Sequence, residues 1–131
     1  RVLWVDDDPA RNEAERAQLR LHGLVFDNVV SSAEASQQLD DQSYDLVITD
    51  LGRHRSTDRS AQAGADFLEH RRGRATPPVV VYGGLSALAR RDELLARGAA
   101  TVCTDPAALE GQVLQLLGRA DDPATSAIVP R

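Results

Sequence analysis

The stretch VLWVDDDP, residues 2–9, places three consecutive aspartates directly after a short run of apolar residues. A run of four apolar residues that ends at charged residues is the pattern of a short buried strand. Neighbouring carboxylates repel one another, so three aspartates in a row indicate a site that neutralises or uses their charge. The stretch therefore predicts a buried strand with an acidic site at its end. Asp8, followed by Pro9, is also predicted to cap the next helix.

Four further strand patterns follow, and helical patterns separate them. The strands are predicted at 24–30, 45–49, 79–82 and 101–103. The helices are predicted at 9–22, 31–39, 64–72, 85–97 and 106–117. Strict alternation of strands and helices predicts a parallel sheet with helices on both faces. We therefore predict an α/β, doubly wound fold with a five-stranded parallel sheet and five helices.

The composition of the 131-residue chain limits the classes of protein that it can represent. Its length suits one domain, which we place at 1–118, and the proline- and aspartate-containing segment 119–131 is predicted to be a tail or linker. A net charge of −5 without a basic stripe argues against nucleic-acid binding by this domain. A single cysteine, Cys103, excludes an internal disulfide and agrees with a cytoplasmic location. No apolar run approaches the roughly 18 residues of a membrane span.

A further aspartate, Asp50, follows the third predicted strand. In a parallel sheet, ligands bind beyond the carboxyl ends of the strands, where the strand order reverses. If the strand order is 2-1-3-4-5, strands one and three are neighbours, and Asp6, Asp7 and Asp50 then meet at this point. Gathered carboxylates need a cation, and hard oxygen ligands select Mg²⁺, Mn²⁺ or Ca²⁺ rather than zinc. An aspartate beside Mg²⁺ can also act as a nucleophile toward a phosphoryl group.

Four segments, VLWVDDDP, YDLVITDLG, PPVVVYGG and RGAATVCTDP, resemble in order and spacing the receiver domain of two-component response regulators. The resemblance covers about residues 2–118 and implies a flavodoxin-like fold with strand order 2-1-3-4-5. It further implies that Asp50 accepts phosphate from a histidine kinase or a phosphotransfer protein. It also implies Mg²⁺ as cofactor, bound by Asp6, Asp7, Asp50 and the backbone carbonyl of Gly52. Such a domain is not an enzyme beyond self-phosphorylation and autodephosphorylation at Asp50. Its output is a change in protein contacts.

Three positions depart from the receiver pattern. Gly83 ends strand four, where receivers carry the Ser or Thr that hydrogen-bonds the phosphoryl group. Asp105 stands where receivers carry a lysine before a proline, and no neighbouring residue can replace it because the chain contains no lysine. Val102 stands at the position of the aromatic switch residue on strand five. The usual switch therefore cannot operate as it does in the family, and the domain is predicted to be an atypical receiver.

Two features bear on whether the altered site can still take a phosphoryl group. A phospho-aspartate adds roughly −1.5 to −2 charges, and a carboxylate about 4 Å away would oppose it by about 4 kcal/mol at an effective dielectric near 20. Asp105 before Pro106 is, however, the pattern of a helix N-cap, and we predict that this cap turns its carboxylate away. The long segment 52–62 contains Arg53 and Arg55, either of which is a candidate to reach the phosphate. A solvated loop is the alternative.

Three functions stay open on the sequence alone. The first is a phosphorylatable receiver, which the complete acidic triad favours because an unused triad would cost electrostatic repulsion. The second is a pseudo-receiver, a protein-interaction module that works without phosphorylation. The third is a Mg²⁺-dependent phosphohydrolase, which lacks a cap domain, a lysine and a suitably spaced general acid. Leu114, predicted opposite the core-facing side of the last helix, suggests a homodimer through strand five and that helix.

Overall fold

Five parallel strands form a single sheet in the computed structural model, which describes residues 1–52 and 63–118. Arg53, Arg55 and the predicted tail at 119–131 lie outside the described residues. The strands are β1 (Val2–Val5), β2 (Phe26–Val29), β3 (Leu46–Thr49), β4 (Val79–Tyr82) and β5 (Thr101–Cys103). Their order is β2-β1-β3-β4-β5, and each neighbouring pair is parallel. The predicted fold and strand order are confirmed.

Helices connect the strands on both sides of the sheet. A 3₁₀ turn (Pro9–Asn12) leads into α1 (Glu13–Arg20), and the others are α2 (Ser32–Asp41), α3 (Ala63–Arg71), α4 (Leu85–Ala89), α5 (Arg91–Ala96) and α6 (Pro106–Leu116). The helix predicted at 85–97 is divided in two at Arg90, whose φ of −105° and ψ of 16° depart from helical values. The described residues therefore contain six α-helices where five were predicted. None of these helices is both long and apolar enough to cross a membrane.

Polar side chains cap the first turns of two helices, and the cap at Asp105 was predicted. Ser31 Oγ accepts a hydrogen bond from the Glu34 N–H at 3.2 Å, and Asp105 Oδ1 accepts one from the Ala108 N–H at 2.8 Å. Each satisfies a backbone donor that the first turn of a helix leaves unpaired. Asp8 differs, because it occupies the N-cap position of the 3₁₀ turn without a capping bond from its side chain. The prediction that the Asp8 side chain caps this helix is therefore wrong.

Two apolar clusters lie on the two faces of the sheet. Alternation along the strands directs Leu3 and Val47 toward one cluster, which residues of α2, α3, α4 and α5 cover. It directs Trp4 and Ile48 toward the other, which residues of α1 and α6 cover. All residues of β1 and β3 are buried, as expected for central strands that are covered on both faces. The core therefore fixes the register of the two strands that lead into the acidic residues.

Leu114 is only 2% exposed, so the prediction that it lies on an open side of the last helix is wrong. The reason is that α6 packs against both β5 and α1, and more than one side of this helix is therefore covered. The predicted homodimer through strand five and the last helix consequently loses the residue that suggested it.

Candidate functional site

The backbone of the central strands brings two separate acidic positions together. Val5 and Thr49 are register partners in β1 and β3, and the Asp50 N–H donates to the Val5 carbonyl at 3.2 Å. On the other side, the Asp6 N–H donates to the Val29 carbonyl of β2 at 3.0 Å. Asp6 and Asp50 are thus the first residues beyond neighbouring strands, at the carboxyl edge of the sheet. This is the edge where ligands bind in such folds.

Asp6, Asp7 and Asp50 form a compact carboxylate cluster. One oxygen from each lies within 4.8 Å of the others, and Asp6 and Asp50 are only 1% and 6% exposed. Oxygens bound to one Mg²⁺ lie about 3–4 Å apart, because each Mg–O bond is about 2.1 Å long. Small side-chain shifts would therefore allow the cluster to bind such an ion. The donor set consists of carboxylate oxygens, which suits Mg²⁺ and does not suit a soft metal.

Asp6 is held in place by the turn that follows β1. Asn12 Nδ2 donates to Asp6 Oδ2 at 2.6 Å, and the Asp8 N–H donates to Asp6 Oδ1 at 2.9 Å. The Arg11 guanidinium lies 3.4 Å from the same oxygen. The sequence analysis did not identify Asn12 or Arg11, because only the 3₁₀ turn at Pro9–Asn12 directs them back toward Asp6. The turn fixes the orientation of the carboxylate.

The backbone beyond Asp50 is fixed by close contact with α3. The Gly64 N–H donates to the Leu51 carbonyl at 2.7 Å. A Cβ atom added at Gly64 would lie 2.2 Å from the Asp50 carbonyl oxygen, which is far inside van der Waals contact. Thr49 Oγ1 also donates to that oxygen, at 3.0 Å. No role for Gly64 was predicted from the sequence, although a glycine at the start of the helix that follows Asp50 along the chain was a usable signal.

An open cavity of about 940 Å³ extends from Asp50 across the ends of β3, β4 and β5. Its lining combines cationic, hydroxyl and glycine residues with Asp50 itself. Those relevant to the site are Arg11, Asp50, Gly52, Gly83, Gly84, Ser86, Arg90, Glu93 and Thr104. The volume lies at the upper end of the range of about 300–1,000 Å³ that is usual for small-molecule pockets. A phosphoryl group on Asp50 would therefore have room on the β4 side.

The three positions that depart from the receiver pattern have distinct environments. Gly83 lines the cavity, and its N–H donates to the Cys103 carbonyl at 3.1 Å. Asp105 is exposed and caps α6, as predicted, so its carboxylate is used by the helix. Val102 is half-buried and packs against the apolar cluster on one face of the sheet. Neither Gly83 nor Val102 provides a hydroxyl or an aromatic ring for a switch.

Tyr82 also lines the cavity and remains protonated at neutral pH. Burial is the main cause that raises the pKa of its phenol to about 12, and the charge of Glu15 and a hydrogen bond with it add to the effect. The phenol is therefore a hydrogen-bond donor and cannot serve as a base at physiological pH.

Comparisons with known proteins show that this chain is similar in structure to several solved proteins. No protein-family model and no curated protein matches the sequence. The receiver domain of NtrX from Brucella abortus superposes with a TM-score of 0.76 at 19% identity, over 90% of this chain and 98% of that one. The receiver domain of a Francisella response regulator gives 0.74 at 20% identity, over 91% and 97%.

A third similar structure was solved with ligands. The response regulator TrrA from Thermotoga maritima, in complex with Mg²⁺ and beryllofluoride, superposes with a TM-score of 0.70 at 22% identity. The match covers 88% of this chain and 96% of that one. Each of the three matches covers at least 88% of this chain. The chain therefore has the fold of the receiver domains of response regulators.

Proposed function

We propose that this chain is an atypical receiver domain of a two-component phosphorelay, which accepts a phosphoryl group on Asp50. The observation that carries the proposal is the convergence of Asp6, Asp7 and Asp50, whose oxygens lie within 4.8 Å of one another at the carboxyl edge of the sheet. Donors would be a histidine kinase or a phosphotransfer protein. The domain would act in the cytoplasm without binding nucleic acid, and it would change protein contacts and turn over no other substrate.

The residues of the site would have separate roles in such a transfer. When bound, Mg²⁺ would offset negative charge on the incoming phosphoryl group, and Asp6, Asp7, Asp50 and the Gly52 carbonyl would hold it. An Asp50 carboxylate oxygen attacks the phosphorus, the bond between phosphorus and the donor atom breaks, and the donor leaves with the electron pair. Asn12 and the Asp8 N–H orient Asp6. Gly64 keeps the Asp50 backbone in register with β1.

A pseudo-receiver is the second candidate, and one observation favours it. Gly83 carries no hydroxyl, and the residue at the usual lysine position, Asp105, is used as a helix cap. Two groups that would stabilise a phosphoryl group are therefore replaced. On this alternative the domain would bind partners through a fixed surface, with or without Mg²⁺, and Asp50 would stay unmodified.

Labelling with acetyl phosphate separates the two candidates. In the presence of Mg²⁺ we expect the intact mass to increase by one phosphoryl group, because the carboxylate cluster can bind the ion beside a nucleophile. The Asp50→Asn variant should show no increase, and chelation of Mg²⁺ should abolish the increase in the wild type. Binding of Mg²⁺ without any label on the wild type would support the pseudo-receiver instead.

Arg11 provides a second test, because its guanidinium competes with a metal ion for Asp6. The two groups are 3.4 Å apart, and the arginine is 56% exposed although Asp6 is buried, so solvent weakens the interaction from the side of the arginine. Arg11→Ala should tighten Mg²⁺ binding by about two- to fivefold, which corresponds to the usual strength of such a pair. Calorimetric titration with magnesium chloride measures the effect, with Arg72→Ala as an exposed arginine control outside the site. Unchanged or weaker binding in Arg11→Ala would show that the arginine does not compete.

A further inference from the structure

The β4 side of the cavity contains a cation that the sequence analysis did not assign to the site. Receivers were expected to provide a hydroxyl and a lysine near the phosphoryl group, and this chain has Gly83 and Asp105 at those positions. Arg90 lines the same cavity as Asp50. Its side chain is 25% exposed, so it is partly enclosed and still reachable from the open space.

The backbone at Arg90 explains why the sequence did not reveal this placement. The residue is the break between α4 and α5, with a φ of −105° and a ψ of 16°. A continuous helix over 85–97 was predicted, and a helical position in that segment carries no signal for an active site. Two residues separate β4 from α4, and α4 packs against β5. Arg90 and Gly83 line the same cavity, so the break faces the cavity that the replaced hydroxyl would have faced.

The Arg90 guanidinium is paired with a nearby carboxylate. Its Nη2 lies 2.5 Å from Glu93 Oε2 and its Nε lies 3.0 Å from Glu93 Oε1. Glu93 also lines the cavity and binds Arg97 at 3.1 Å. The hydrogen bond to Glu93 is the main cause that raises the pKa of Arg90. The guanidinium is therefore charged and is held by Glu93 at the wall of the cavity.

We propose that Arg90 is the phosphate-binding side chain of this receiver, which takes the role of the absent lysine, and that Glu93 holds it beside the cavity until Asp50 is phosphorylated. The inference rests on the proposed function. A phosphoryl group carries about twice the charge of a carboxylate and offers three acceptor oxygens. A guanidinium binds such oxygens through two parallel N–H groups, so the phosphoryl group competes well with Glu93 for the same two donors.

Arg11 is less suited to this role although it lines the same cavity. Its guanidinium already lies 3.4 Å from Asp6, within the cluster that would bind the metal ion, and it is on the β1 side of Asp50. Arg90 is on the opposite side, where no other cationic side chain lines the cavity among the described residues. The two arginines would therefore have separate effects, with Arg11 acting on metal affinity and Arg90 on the phosphoryl group.

The experiment compares labelling rates with acetyl phosphate at saturating Mg²⁺, followed by intact mass. Arg90→Ala should label about tenfold more slowly, because a charge-assisted hydrogen bond to the transferring group is lost. Arg90→Lys should recover part of the rate, since lysine keeps the positive charge but lacks the two parallel N–H groups of a guanidinium. Glu93→Gln should label faster than the wild type, because a neutral amide holds the guanidinium more weakly than a carboxylate does. Arg91→Ala is the matched control and should label at the wild-type rate, because its exposed side chain pairs with Asp92.

The opposite directions expected for the two partners exclude a purely structural effect. Arg90→Ala and Glu93→Gln both break the same ion pair, so a pair that only stabilised the helix break would make both variants change the rate in the same direction. That result, or an unchanged rate in a folded Arg90→Ala, would overturn the inference. If Arg90→Ala fails to fold in a thermal melt, Arg90→Gln decides, because it keeps most of the side-chain length and removes the charge, and a wild-type labelling rate in that variant contradicts the inference. An unlabelled wild type would overturn the proposed function and this inference together.

Discussion

Gly64→Ala is expected to destabilise the protein by about 3 kcal/mol, at the upper end of the usual cost of overpacking. The added Cβ would lie 2.2 Å from the Asp50 carbonyl oxygen and 3.0 Å from the Leu51 Cα. Both are backbone atoms, so no rotamer change can relieve the clash and α3 must move away from the end of β3. The 2.7 Å hydrogen bond from the Gly64 N–H to the Leu51 carbonyl would be strained or lost. Urea denaturation measures the change in the free energy of unfolding.

Gly111→Ala is the matched control for this substitution. Gly111 is also a helical glycine, in α6, and an added Cβ there meets no atom within 4 Å. Alanine is a better helix former, so this variant should be more stable by up to about 1 kcal/mol. A Gly64→Ala variant as stable as Gly111→Ala would contradict the close contact between α3 and the Asp50 backbone. Mg²⁺ titration of a folded Gly64→Ala would then show whether the cluster still forms.

Asp50→Asn is expected to increase the free energy of unfolding by about 2 kcal/mol in Mg²⁺-free buffer, because it removes like-charge repulsion. Two unit charges about 4 Å apart repel by about 4 kcal/mol at an effective dielectric near 20. Asp50 has two such neighbours in Asp6 and Asp7. Asn12 and Arg11 already stabilise Asp6, so only part of the repulsion remains to be relieved.

Asp50→Asn should also reduce the stabilisation that Mg²⁺ gives to the folded protein. At a concentration about 100 times its dissociation constant, a ligand that binds only the folded state stabilises it by about 2.7 kcal/mol. The wild type should show such a gain, and Asp50→Asn should lose most of it because one of the three carboxylates is gone. Asp92→Asn is a suitable control, since the Asp92 side chain is fully exposed at 100%. Destabilisation by Asp50→Asn without Mg²⁺, or an undiminished gain with it, would contradict the account.

The strands could be predicted because their sequences carry a local signal. The predicted bounds of β4 and β5 agree with the structure, and the buried run VLWV and the run LVIT are the two central strands. Strand β2 was predicted at 24–30 and is limited to Phe26–Val29. The strand order was implied by the resemblance to receiver domains and not by a local signal.

The parts that could not be predicted depend on contacts between distant segments. The break at Arg90 and the burial of Leu114 are set by how α4 and α6 pack on the sheet, and helical periodicity does not report that packing. Arg16 is a further example, because it is 2% exposed and its guanidinium carbon lies 5.2 Å from the Trp4 ring centroid. Composition alone suggests a surface position for an arginine. The aromatic ring and the Pro9 carbonyl, to which it donates a hydrogen bond, compensate for its burial.

In the candidate site, the positions of the three aspartates could be predicted, whereas those of Asn12 and Arg90 could not. Asp6, Asp7 and Asp50 follow strands whose register the core determines, so their convergence could be expected. Asn12 contacts Asp6 only because of a 3₁₀ turn, and Arg90 lines the cavity only because the helix is divided. The roles of Gly52, Gly83 and Val102 in metal binding or switching stay predictions.

Fluorine NMR of beryllofluoride binding tests most directly whether the carboxylate cluster binds Mg²⁺ beside a reactive Asp50. Beryllofluoride on an aspartate imitates a bound phosphoryl group without chemical turnover, and the Thermotoga maritima structure contains it together with Mg²⁺. We predict bound fluorine resonances for the wild type that require Mg²⁺ and disappear in Asp50→Asn. Absence of bound resonances from the wild type at saturating Mg²⁺, or their persistence in Asp50→Asn, would contradict a receiver that is phosphorylated at this residue.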